Sequence, residues 1–148
     1  MRKRRRIIVV VLSTALYGAS IVLPAAAPFN PTFSTTTYSG YDAFELGRRI
    51  WFHFEPDDID CWLVGAAWLA NPATWLTIIL VALGRWRPAF IAGVFSLSLA
   101  LIVLPWCYPT VAGLPGYWAW IASPSLLVAA AALELTRNWP RPVGESFA

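Results

Sequence analysis

The sequence predicts an all-α membrane protein: a four-transmembrane-helix bundle with a short amphipathic helix in its first outer loop. Three observations predict it. First, hydrophobic residues make up 58% and charged residues 13% of the 148, with a mean hydropathy of +0.59. A soluble domain carries about a quarter charged residues. So few charges cannot cover a water-facing surface, and lipid is the expected solvent. Second, four apolar runs approach the roughly 20 residues that a helix needs to cross a hydrocarbon core about 30 Å thick. Third, bases and acids are sorted between the connections. No glycine-serine linker or low-complexity tract divides residues 1–148, which read as one domain.

The first run, residues 7–27, is "IIVVVLSTALYGASIVLPAAA". With "MRKRRR" before it, this also fits a secretory signal peptide ending in small residues. The stretch Ile7 to Leu23 is longer than the apolar core of a signal, and Pro28 would hinder the peptidase, so a retained helix is expected. The loop 28–60 follows. In it "SGYDAFELGRRIWF" opens on Ser39 with Asp42 three residues on, a weak capping box. Ala43, Phe44, Gly47, Ile50, Trp51 and Phe54 recur at helical spacing, which predicts a short amphipathic helix on the membrane surface or over the bundle. Arg48 and Arg49 would then face water or lipid phosphates. The remaining spans are expected at residues 61–83, 88–106 and 116–135. Helix is demanded by the solvent: in hydrocarbon every backbone N–H and C=O must find its partner within the segment. Inside the four runs the sole acid or base is Glu134, near a helix end.

The charges set the expected orientation. Arg2, Lys3, Arg4, Arg5 and Arg6 precede the first span, Arg85 and Arg87 join the second to the third, and Arg137 and Arg141 follow the fourth. The loop 28–60 has Arg48 and Arg49 against Asp42, Glu45, Glu55, Asp57, Asp58 and Asp60. Bases in short connections stay on the cytoplasmic side, so both termini are expected inside and the acidic loop outside. The basic clusters serve topology and anionic lipid head groups, rather than nucleic acid. Lipid bilayer is the expected partner, together with other membrane-protein subunits.

A five-letter phrase occurs twice: "WLANP" from Trp68 to Pro72 and "WIASP" from Trp120 to Pro124. Aligned, Leu83 meets Leu135, Arg85 meets Arg137 and Pro88 meets Pro140. Each proline removes a backbone donor and frees the carbonyl four residues earlier, Trp68 or Trp120, which predicts two kinks. Asn71 and Ser123 precede the prolines and can bond a freed backbone group or a neighbouring helix. Ser96 and Ser98, with Gly93 and Ala92, lie at similar depth on the third span. A middle layer of Trp68, Asn71, Pro72, Ser96, Ser98, Trp120, Ser123 and Pro124 is expected, as packing glue or as the wall of a ligand pocket. The echo reads equally as a duplicated helical hairpin or as chance in a chain rich in Trp, Ala and Leu.

The order "YSGYDAFELG", "WLANPATWLTIILVALGRWRPAFIAGVFSLSLAL" and "GYWAWIASPSLL" resembles a group of small, uncharacterised bacterial inner-membrane proteins with four predicted transmembrane helices. The resemblance covers Tyr38 to about Leu135. It implies four spans in a bacterial inner (plasma) membrane and transfers no catalytic residue.

Nine tryptophans are present; Trp62, Trp106 and Trp118 fall at expected outer ends, Trp86 and Trp139 at inner ends, as a head-group belt requires. Trp68 and Trp75 are seven apart on one helical face. Cys61 and Cys107 are placed at the outer ends of two spans, on the oxidising side, where a disulfide forms if the backbones approach closely enough. His53, Asp57, Asp58 and Cys61 lack a recognised metal-ligand spacing, so no metal is expected. No phosphate loop, nucleophile elbow, HExxH or CxxC occurs. No ionisable residue lies near the centre of a span, where ion-coupled transport needs one. The expectation is a non-catalytic scaffold or accessory subunit of a membrane complex, without cofactor. The alternatives are a small-molecule or lipid carrier using the kinked centre, and a lipid-headgroup enzyme relying on His53, Asp57, Asp58 and Asp60.

Overall fold

In the computed structural model, residues 3–26, 38–52, 65–102 and 114–137 are described, and among them five helices and one two-stranded ladder follow one another. Helix α1 is Lys3–Val22, 20 residues and so about 30 Å long. It begins four residues earlier than the apolar run, so the bases Lys3 to Arg6 form its first turn rather than preceding it. It also stops short of residue 27. Pro24 crowds the backbone of Leu23 and disfavours the α conformation there. The chain leaves extended as β1, Pro24–Ala26, and pairs antiparallel with β2, Tyr38–Ser39. Pro24 faces Ser39 and Ala26 faces Tyr38, with an irregular register between them. The all-α expectation has no place for this ladder. The Gly40 N–H then donates to Leu23 O at 3.1 Å, tying the returning chain to the end of α1.

Helix α2, Gly40–Phe52, is the short amphipathic helix of the first loop. Its start is a reciprocal cap. The Ser39 N–H and hydroxyl donate to Asp42 Oδ2 at 3.1 and 2.7 Å, and the Asp42 N–H donates to Ser39 Oγ at 3.2 Å. Phe44 and Phe52 lie against Trp68, ring centroids 5.8 and 6.0 Å away.

Residues 65–82 are long and apolar enough to cross a membrane. Their regular part is α3, Ala70–Ala82, preceded by a helical turn at 65–68 and a break at Leu69. The Leu69 N–H bonds to Ala66 O at 3.1 Å, a tighter i to i−3 turn. Pro72 follows three residues later and cannot donate to the Trp68 carbonyl. The helix ends in a Schellman arrangement. The Gly84 N–H reaches Val81 O at 2.9 Å and the Arg85 N–H reaches Leu80 O at 2.8 Å. Gly84 holds φ +76°, the left-handed conformation that residues with a Cβ resist.

Helix α4 is Trp86–Ile102, 17 residues or about 26 Å, and α5 is Pro115–Arg137, 23 residues or about 35 Å. Three segments are long and apolar enough to cross a membrane: α1, residues 65–82 and α5. α1 packs on α5, α4 lies between α5 and α3, and α3 makes lighter contacts with α1 and α5. Gly93 brings α4 close: a Cβ there would stand 2.8 Å from Val128 Cγ2 and 3.2 Å from Thr77 Cγ2. One core cluster joins Ala70, Ala100, Tyr117 and Ile121; another joins Val81, Ala89 and Leu127.

The helix ends sort by charge. Arg5 of α1 and Arg137 of α5 line one groove, and Arg6 Nη1 lies where a side chain on Gly84 would point. The bases of α1, α5 and the α3–α4 turn therefore gather at one end. α2, with Asp42 and Glu45, lies against the opposite end of α1 and against Trp68.

Candidate functional site

The polar residues of the helices meet in three small knots. At the first, Asn71 Oδ1 accepts from Tyr17 Oη of α1 at 2.9 Å and from Trp120 Nε1 of α5 at 3.0 Å. Its amide Nδ2 donates to Trp68 O at 3.0 Å, the carbonyl that Pro72 leaves without its usual donor. The two copies of the repeated phrase are thus bonded to each other, Trp120 of the second to Asn71 of the first.

The second knot joins Ser123 of α5 to α1. Ser13 and Ser123 hydroxyls lie 2.8 Å apart, and Ser13 Oγ also reaches Ser123 O at 3.1 Å. Asn71 and Ser123, the matched residues of the repeat, therefore each take a partner four residues apart on one face of α1. Ser13, Tyr17 and Ser20 are the buried residues of that helix, spaced four and three, as one helical face requires.

The third knot joins α3 to α4. Ser96 Oγ lies 2.6 Å from Thr74 Oγ1, and both hydroxyls reach Ala70 O, at 2.9 and 2.8 Å. Two protons and three oxygens are consistent with a short chain in which one hydroxyl donates to the other and the second donates to the carbonyl. Tyr117 Oη extends the layer by donating to Ala100 O at 3.2 Å.

Of the middle-layer residues, Asn71, Ser96, Ser123 and Pro124 are buried. Ser98 is not among them. It is exposed, because two residues along a helix turn a side chain about 200° from Ser96. Pro72 is also exposed, with only its missing N–H acting on the core. Trp68 and Trp120 are half-buried. Trp68 lies under Phe44 and Phe52 of α2, and Trp75 stands edge-on to Tyr17 at 6.0 Å. The Trp68 indole Nε1 is buried without a hydrogen-bond partner among the described residues. Sequence reasoning missed Ser13, Tyr17, Thr74 and Thr77, although the first two carried a signal in their four-residue spacing within an otherwise apolar run.

Glu134 is 2% exposed, on the α1–α5 side of the basic end, with Arg137 Nη1 at 3.5 Å. Arg48 and Arg49 are not left to water alone: both pair with Glu45, at 2.6 and 3.1 Å. Hydrogen bonds from Arg48, then from Arg49, hold the Glu45 carboxyl down at about 2. Lys3, Arg4, Arg5, Arg6, Arg85 and Arg87 stand at the basic end, while Arg2, Cys61, Cys107, His53, Asp57, Asp58 and Asp60 lie outside the described residues. Compared with protein families, curated proteins and solved structures, the chain matches none.

Proposed function

We propose that the chain crosses a bacterial inner membrane four times, with both termini in the cytoplasm, and serves as a non-catalytic scaffold or accessory subunit of a membrane complex. One observation carries the scaffold reading: the buried hydroxyls and the Asn71 amide are spent on one another and on backbone carbonyls. Asn71 links α1, α3 and α5, Ser123 is held by Ser13, and Ser96 by Thr74 and Ala70 O. Groups so paired fix the mutual placement of helices, which is what polar side chains do where lipid offers no hydrophobic force. The gathering of the bases at one end supports the orientation through their retention on the cytoplasmic side. α4 supplies the remaining crossing as a 17-residue apolar helix, about 26 Å long.

A second reading is a small-molecule or lipid carrier. The buried Trp68 Nε1, without a hydrogen-bond partner among the described residues and under Phe44 and Phe52 of α2, favours it as a donor beside aromatic rings. Purification from native membranes in mild detergent, followed by mass spectrometry of protein and small molecules, separates the two. The scaffold reading expects a protein subunit retained in fixed stoichiometry. A chain recovered alone with a metabolite bound contradicts it.

A further inference from the structure

The groove between α1 and α5 has a shape and a charge pattern that the scaffold reading leaves unused. It encloses about 310 Å³ at the basic end of the molecule. Its walls include Ile8, Leu126, Ala129 and Leu133, with Arg5, Glu134 and Arg137 at its border. Ile8 and Leu133 are 54% and 59% exposed, so the apolar part opens sideways, toward the face where lipid would lie. The small side chain of Ala129 between Leu126 and Leu133 leaves the concavity.

We propose that this groove holds an anionic phospholipid, its phosphate on Arg5 and Arg137 and one acyl chain along α5. The inference rests on the membrane-spanning reading above and deepens it. Charge complementarity identifies the occupant. Arg5 of α1 and Arg137 of α5 both border the groove, with Glu134 as the carboxylate among its lining residues, so two bases stand against one acid. Glu134 pairs with Arg137 at 3.5 Å and steadies its side chain, while Arg5 has no carboxylate partner among the described residues. A planar guanidinium matches the oxygens of a phosphate in a bidentate fork. The dimension also fits. Leu126 to Arg137 rises about 16 Å along the helix, close to the roughly 15 Å of one hydrocarbon leaflet. A phosphate at Arg137 therefore sits at head-group depth while its acyl chain follows the helix to the mid-plane.

Native mass spectrometry of the full chain, with phosphatidylglycerol or phosphatidylcholine added at equal concentration, tests this. One phosphatidylglycerol should be retained in preference to phosphatidylcholine. R5Q/R137Q should lower that preference by about thirtyfold, as expected for two surface arginines on an anionic lipid. R85Q/R87Q removes as many charges at the α3–α4 turn and should change it less than twofold. A129L keeps every arginine, fills the groove and should also reduce retention. Equal retention of both lipids overturns the proposal, as do equal losses in the two double variants, unchanged binding to A129L, displacement by inorganic phosphate, or a lipid-free dimer. Release of the chain from vesicles by alkaline carbonate sinks the spanning reading and this inference together. A carbonate-resistant chain without lipid preference sinks this inference alone.

Discussion

Asn71 Oδ1 accepts one hydrogen bond from α1 and one from α5 while its Nδ2 serves its own helix. Asn71→Ala removes both interhelical bonds and strands Tyr17 Oη and Trp120 Nε1. Bonds between membrane helices average about 0.6 kcal/mol each, and a stranded buried donor adds to the loss. We expect destabilisation of about 1–2 kcal/mol. Ser98→Ala, on the exposed side of α4, should stay within about 0.5 kcal/mol. Unfolding of both variants in detergent by increasing dodecyl sulfate checks the difference, and equal midpoints would count against the knot. At this scale the sequence was half legible. A polar residue before each proline announced Asn71 and Ser123, because a freed carbonyl in an apolar run needs a donor. Ser96 could not be told from Ser98 without the helical phase. Tyr17 passed unremarked because an aromatic ring in an apolar run looks like packing until its hydroxyl has a visible acceptor.

The elements show which local rules decide their ends. Pro24 terminates α1 and Gly84 terminates α3, and both residues stood plainly in the chain. The β1–β2 ladder was not legible, since three residues starting at a proline and two before a glycine carry no alternating pattern to read. Gly84→Ala places a Cβ at φ +76° and should cost about 1 kcal/mol, measurable as a lowered thermal midpoint. Gly93→Leu should cost more, about 1–3 kcal/mol, because Val128 and Thr77 leave no room for the larger side chain. If Gly93→Leu is the milder of the two, the close α3–α4–α5 contact is mistaken. α2 should respond to acid. Glu45 is held at about 2, below its ordinary 4.5, so its ion pairs with Arg48 and Arg49 are fully present above pH 4.5 and weaken as pH falls toward 2. The protection of the Gly40–Phe52 amides against hydrogen exchange, taken relative to their intrinsic rates, should fall over that window and stay constant between pH 5 and 8. Glu45→Gln should abolish the dependence.

Across the whole molecule, the sorting of charge gives the packing its direction. Arg5 meets Arg137 across one groove and Arg6 stands over Gly84, while α2 covers the far end at Trp68. That much was foreshadowed by the composition, because a chain with 13% charged residues must place them where water is. The order of contact, α1 on α5 and α4 between α5 and α3, was beyond the sequence. It depends on which small residues face each other, and Gly93, Ala100 and Ala131 look alike in a row of letters. The most direct measurement labels single cysteines with a membrane-impermeant maleimide, in a chain whose Cys61 and Cys107 are replaced by serine. Leu46→Cys on α2 should react in intact cells freed of their outer wall, whereas Arg87→Cys and Ala148→Cys should react only after the membrane is opened. Reaction of Leu46→Cys and Arg87→Cys from the same side, or of Ala148→Cys from outside, would contradict four crossings with both ends in the cytoplasm.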